Sequence, residues 1–119
     1  MAKVMIVDDS PVVRMAVRGI LEKAGHEVEE AENGVDCLEK LASFTPDVFL
    51  IDLNMPKMDG IELIKRLKRD SAVASKPIII LSTEENPQVL EEVKELGVEK
   101  YVKKPPDPFK LIEIVASVL

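Results

Sequence analysis

Apolar positions along this chain alternate between two rhythms. Val4 to Val7 is a short continuous apolar run ending in Asp8-Asp9, the pattern of a strand buried on both faces. Ser10-Pro11 then places an N-cap residue before a proline at the first helical position. Val13, Val17, Ile20, Leu21 and Ala24 follow at helical spacing as far as Gly25, which suits a C-terminal cap. Glu27 to Ala31 reads as a weaker, alternating strand in a less buried place. Asn33-Gly34 turns the chain into a helix with Cys37, Leu38 and Leu41 on one face. Asp47 to Asp52 predicts a third strand around the apolar run Val48 to Ile51, followed by a loop, 53–58, that carries Pro56. Asp59 opens a third helix with Ile61, Ile64 and Leu67 inward, and Lys76-Pro77 opens a fourth strand, Ile78 to Ser82. Pro87 to Leu96 predicts a fourth helix with Leu90 and Val93 inward, closed by Gly97. Glu99 to Lys103 then reads as a fifth strand, and Phe109 to Val118 as a fifth helix using Leu111, Ile112, Val115 and Val118.

Strands alternating with helices in this way predict an α/β fold, a parallel sheet with helices on both faces. Open sheets of this kind bind ligands beyond the carboxyl ends of their strands, where the strand order reverses. The expectation is one domain over residues 1–119, without repeat or linker. Composition narrows the picture. Apolar residues make up 46% of the chain, enough for one core, while aromatics are only 3%, so Val, Ile and Leu must fill it. No apolar stretch approaches a membrane span, and the N-terminus runs too soon into acid for a signal peptide. With Cys37 as the single cysteine, an internal disulfide is impossible and a cytoplasmic location is expected. A net charge of −6 argues against direct, sequence-independent binding to nucleic acid. The densest basic stretch, Lys65 to Arg69, falls mostly on the solvated face of a helix.

The chemistry-bearing residues cluster at the predicted strand ends. The first strand delivers Asp8-Asp9, the third Asp52, the fourth Ser82, and Lys104 follows the fifth. Any one of these alone reads as a cap or turn residue. Together, three carboxylates demand either a shared proton or a cation, and hard oxygen ligands suit Mg²⁺, which brings phosphate oxygens with it. An aspartate is a competent nucleophile toward phosphorus, and an ammonium beside it neutralises phosphoryl oxygens. No histidine or thiol lies at these ends to serve as a base. Cys37 reads as a small core residue and His26 as an exposed turn residue. Met5, Met55 and Met58 read as gap-fillers.

Four segments carry a family resemblance: Ile6-Val7-Asp8-Asp9-Ser10, Asp52 to Gly60, Ile80-Leu81-Ser82-Thr83 and Tyr101-Val102-Lys103-Lys104-Pro105. Through them the whole chain resembles the receiver domains of two-component response regulators, most closely the stand-alone chemotaxis type. The resemblance implies a flavodoxin-like doubly wound sandwich of strand order 2-1-3-4-5. It implies Asp52 as phosphoacceptor, with Mg²⁺ (Mn²⁺ as a substitute) held by Asp9, Asp52 and the Asn54 backbone carbonyl, and by Asp8 through water. Lys104 would pair with the phosphoryl group, Ser82 would move toward it, and Tyr101 would follow inward. Asn54, Thr83 and Glu84 would tune access and phosphoryl lifetime, and the Lys104-Pro105 peptide would be cis. Pro106 departs from the aromatic residue usual after this pair. The implied partners are a histidine kinase or histidine phosphotransfer protein and a downstream effector protein. The effector would be met by the fourth helix, fifth strand and fifth helix, in a monomer or a dimer formed on activation. The resemblance also implies a switch rather than an enzyme: the only reactions it would promote are its own phosphorylation and dephosphorylation. Rival readings are a receiver cut from a larger DNA-binding regulator and a small Mg²⁺-dependent phosphatase with an aspartyl nucleophile. The second usually needs a carboxylate where this chain has Asn54.

Overall fold

The computed structural model describes residues 1–98 and 100–119, in which ten elements alternate. They are β1 (Lys3–Val7), α1 (Pro11–Lys23), β2 (Glu27–Ala31), α2 (Gly34–Lys40), β3 (Val48–Ile51), α3 (Gly60–Arg69), β4 (Ile78–Ser82), α4 (Pro87–Glu95), β5 (Lys100–Lys103) and α5 (Pro108–Ser117). Glu99, expected to open the fifth strand, lies outside the described residues. The strands form one sheet in the order β2-β1-β3-β4-β5, and every pairing is parallel. Both the α/β class and the strand order implied by the resemblance are therefore present.

Successive strand residues point to opposite faces, so each apolar run feeds two cores. Val4, Ile6, Val48, Leu50, Ile79 and Leu81 pack with Val17 and Leu21 of α1 and Leu111 and Val115 of α5. Met5, Val7, Phe49, Ile51, Ile78 and Ile80 pack on the other face with Cys37 of α2, Leu63, Ile64 and Leu67 of α3, and Val93 of α4. That double burial explains why the central strands are continuous apolar runs, whereas β2, at the sheet edge, buries only Val28 on one face and Ala31 on the other. Helix ends are fixed locally. The Ser10 hydroxyl accepts from the Val13 N–H at 3.2 Å, and Gly25 and Gly97 take left-handed φ values of 92° and 91° past the ends of α1 and α4.

Several inward positions differ from the sequence expectation. In α3 Leu63 joins Ile64 and Leu67 as a fully buried residue, while Ile61 packs on the same core but stays half-buried at the edge of the stripe. In α4, Val89 and Leu96 join Val93 against the core, and Leu90 instead lines a groove beside Tyr101. In α5, Ile114 rather than Ile112 packs on the sheet, while Ile112 faces Met15 and Ile20 of α1. His26 is not an exposed turn residue. It is half-buried, and its Nδ1 accepts the Ala2 N–H at 3.1 Å, tying the α1–β2 turn to the start of β1. Cys37 is fully buried, and burial pushes its thiol up to about 12, so it is an inert core group at neutral pH.

One glycine sets how closely α3 approaches the sheet. A Cβ on Gly60 would lie 2.5 Å from the Asp52 carbonyl oxygen and 2.7 Å from the Leu53 Cα, both backbone atoms that cannot swing aside. Gly60→Ala is expected to destabilise the protein by about 1–3 kcal/mol through overpacking. Gly19, in α1, has nothing within 4 Å of a built Cβ. Gly19→Ala should stabilise by about 1 kcal/mol through helix propensity alone. Urea unfolding of both variants checks the pair, and an unchanged midpoint for Gly60→Ala would contradict the close approach.

Candidate functional site

Sheet register delivers the polar residues to one edge. β1 and β3 pair with Val7 opposite Ile51, and the ladder runs one step further. The Asp8 N–H donates to the Ala31 carbonyl at 3.1 Å and the Asp52 N–H to the Val7 carbonyl at 2.9 Å. Asp8 and Asp52 thus leave neighbouring strands at the same level. On the other side Ser82 pairs with Lys103, and the Lys104 N–H donates to the Ser82 carbonyl at 3.1 Å. β1 and β3 are also the strands between which the topology reverses, since the chain steps out to β2 before returning to β3.

Electrostatics dominate what gathers there. Carboxylate oxygens of Asp8, Asp9 and Asp52 all lie within 4.8 Å of one another. Asp8 and Asp52 are buried, at 2% and 6% exposure, while Asp9 faces solvent. The Lys104 ammonium sits 2.6 Å from Asp8 Oδ2 and 3.4 Å from Asp52 Oδ2. Burial holds the Asp52 carboxyl above its ordinary value; Lys104 pulls it back, Asp8 pushes it up, and the Asn54 N–H and Ser82 hydroxyl lower it, leaving a net rise. For Lys104, burial works against the charge, but Asp8 and Asp52 outweigh it and raise its pKa. One ammonium therefore faces three acids, a shortfall of positive charge. Asp8 Oδ1 accepts the Ser10 N–H at 2.9 Å, whereas buried Asp8 Oδ2 has only the charge contact and no hydrogen bond. Hard carboxylate oxygens at this spacing, with one ammonium among three acids, fit a small divalent cation such as Mg²⁺.

The remaining candidates ring this cluster. Asn54 is exposed, and its N–H donates to Asp52 Oδ1 at 3.3 Å. Ser82 is fully buried, its hydroxyl accepting the Glu84 N–H at 3.2 Å. Half-buried Tyr101 donates its hydroxyl to the Glu84 carbonyl and lies 3.4 Å from the Ser82 carbonyl, which binds β5 to the loop after β4. The Glu84 carboxylate accepts the Glu85 and Asn86 N–H groups at 3.2 Å each, so it folds its own loop and does not reach the cluster. Thr83 is exposed and shares a groove of about 380 Å³ with Val12, Val13, Lys104, Pro105 and Pro106. The Lys104-Pro105 peptide is cis. Lys57, in the loop after β3, holds a left-handed φ of 69°, a conformation that is strained for a residue with a Cβ.

Two contributors escaped sequence reading. Met58 packs so closely on Gly34 that a Cβ there would lie 2.8 Å from its sulfur, which braces the loop carrying Asn54 against the start of α2. Arg14 donates to the Asp8 carbonyl at 2.6 Å from α1. The only sequence hint was two arginines four apart, Arg14 and Arg18, ahead of the acidic strand β2.

Residues 4–116 match the response regulator receiver domain family. The chain is 35% identical to Protein PilH of Pseudomonas aeruginosa over 119 residues, which is 100% of this chain and 98% of that protein. It is 38% identical to chemotaxis protein CheY1 of Helicobacter pylori, over 98% of this chain and 96% of that one. A gliding motility regulatory protein of Myxococcus xanthus is 39% identical over 86% of the chain, which spans only 13% of that protein's length. Among solved structures, the chemotaxis protein CheY4 of Vibrio cholerae superposes with a TM-score of 0.93 at 39% identity, covering 100% of this chain and 99% of that one.

The acid cluster yields a pH prediction. Because the folded Asp52 pKa lies above its ordinary 3.8, its ionisation costs stability as pH rises through that range, and the cost persists at neutral pH. In chelator, Asp52→Asn should raise the melting temperature at pH 7, with the gain shrinking as pH falls through the raised folded pKa and gone below 3.8. Calorimetry across pH checks this, and a variant less stable than wild type at pH 7 would contradict it.

Proposed function

The chain belongs to the response regulator receiver domain family, and on that premise we propose that Asp52 accepts a phosphoryl group and thereby sets the state of a protein-binding surface. It is a signalling switch rather than a catalyst of metabolic turnover, of the kind found in chemotaxis and motility regulators. The observation that carries the reading is a buried carboxylate, Asp52, held beside two further acids and an ammonium at the switch point of the sheet.

In this reading an Asp52 carboxylate oxygen attacks phosphorus in a phosphohistidine or a small acyl phosphate. A P–O bond forms to Asp52, the bond to the imidazole nitrogen or acyl oxygen breaks, and the leaving group departs with its electron pair. Asp8, Asp9 and Asp52, with the Asn54 carbonyl, are the residues that would hold Mg²⁺, whose role is to neutralise charge on the phosphoryl oxygens. Lys104, the counter-charge of the acids before reaction, then pairs with the new phosphoryl oxygens. Ser82 donates its hydroxyl proton to the same oxygens, and its movement toward them draws its oxygen off the Glu84 N–H from which it accepts. That release loosens the loop to which Tyr101 is tied, so the change reaches α4, β5 and α5. Phosphorylation acts as a population shift between two arrangements of this loop. Asn54 and Thr83, on the loops that follow β3 and β4, and Glu84, through the fold of its own loop, tune how long the group stays in this reading.

The phosphodonor is read as a histidine kinase or histidine phosphotransfer protein, and the recipient of the signal as an effector protein. Among the described residues no helix is long and apolar enough to cross a membrane, and the proposed setting is the cytoplasm.

Acetyl phosphate with Mg²⁺ should add one phosphoryl group to wild type and none to Asp52→Asn, as read by intact mass and peptide mapping. Without Mg²⁺ the label should be lost. Sustained release of inorganic phosphate from simple phosphate monoesters would instead favour a phosphatase. Lys104→Ala should still take the label yet lose most of the accompanying amide shift changes in α4, β5 and α5. Equal loss of labelling and of Mg²⁺ binding would contradict the role given to Lys104.

A further inference from the structure

Asp8 is held at each of its polar groups. Its N–H donates to the Ala31 carbonyl, its Oδ1 accepts the Ser10 N–H, and its Oδ2 meets the Lys104 ammonium. Its carbonyl oxygen accepts Nη1 of Arg14 at 2.6 Å, a partner that comes from α1 rather than from the sheet. That carbonyl and the Asp9 N–H belong to one planar peptide unit, so fixing the oxygen fixes the direction in which the chain departs into Asp9. Asp9 is the exposed member of the acid cluster, and its side chain makes none of the ion pairs found among the described residues. Among the described residues no hydrogen bond or ion pair holds that side chain, which leaves the peptide behind it to set its place.

Arg14 is in turn held. Its Nε lies 3.1 Å from Glu30 Oε1 on β2, and its side chain is only 15% exposed. Glu30 is shared with Arg18, whose Nε is 2.7 Å from Oε2. The two N–H directions that Arg14 uses, one toward Asp8 and one toward Glu30, need the rigid fork of a guanidinium.

We propose that Arg14, braced by Glu30, is a positioning residue for the metal site, orienting the Asp8–Asp9 peptide so that the Asp9 carboxylate stays within reach of Asp8 and Asp52. The inference rests on the metal-dependent phosphoacceptor reading. Charge and positioning make opposite predictions here. Removing a cation beside an acidic site tightens binding of a second cation, while loosening a ligand weakens it.

The test titrates Mg²⁺ alone into the metal-free full chain, following the amide resonances of Asp8, Asp9 and Asp52. Arg14→Met should weaken the Mg²⁺ Kd by about 10–100-fold, in line with the loss of residues that orient metal ligands. Glu30→Ala should weaken it in the same direction, and adding it to Arg14→Met should cost little more, since both break one strut. Glu30→Gln keeps an oxygen for the Arg14 Nε and should restore wild-type affinity. Arg18→Met removes an ion pair to the same Glu30 without touching the cluster, and should stay within about twofold of wild type. Thermal unfolding in chelator should show comparable stability for the Arg14 and Arg18 variants, which separates positioning from folding. If wild type saturates with Mg²⁺ and Arg14→Met binds as well or better, the inference is overturned and the phosphoacceptor reading stands. If Arg18→Met weakens binding as much as Arg14→Met, the inference is likewise overturned. If wild type shows no saturable response to Mg²⁺, both fall together.

Discussion

Three carboxylates held within 4.8 Å of one another, answered by a single ammonium, are the constraint from which the function of this molecule follows. Burial pushes Asp52 toward its neutral form, Lys104 pulls it back, and the neighbouring Asp8 adds to the push. The rest of the fold tolerates this because its stability lies elsewhere, in two apolar layers packed on the faces of one parallel sheet. In the proposed function, this deficit of positive charge is what would draw a divalent cation and, with it, a phosphoryl group to the strand ends.

Backbone placement, more than side-chain choice, creates the cluster. The rung that sets Asp52 on the Val7 carbonyl and the one that sets Asp8 on the Ala31 carbonyl put both acids at one level. The absence of a Cβ at Gly60 lets α3 start directly against the Asp52 carbonyl. On the far side, the same strand-end logic places the remaining polar groups. Ser82 and Lys104 adjoin the acids, and the Tyr101 hydroxyl grips the loop that Ser82 begins. Site and surface are therefore linked by a short chain of hydrogen bonds through one loop.

Much of this could be read from the sequence, for physical reasons. Central parallel strands are buried on both faces, so Val4 to Val7, Val48 to Ile51 and Ile78 to Ser82 announce themselves as apolar runs, and the polar residue ending each run marks the functional edge. Helix caps were equally legible at Ser10, Gly25 and Gly97. Helix faces were less so. A stripe counted at every third residue drifts from the true one, which is why Leu63, Val89 and Ile114 were passed over. Contacts between elements were the least legible. His26 with the Ala2 N–H, Met58 against Gly34 and Arg14 on the Asp8 carbonyl join residues that no local pattern connects.

In the proposed function, Lys104 and a divalent cation compete for the same carboxylates. Calorimetric titration of Mg²⁺ into metal-free wild type and Lys104→Met tests that competition most directly. Tighter Mg²⁺ binding is expected in the variant, because the ammonium no longer neutralises Asp8 and Asp52. Weaker or unchanged binding would contradict it.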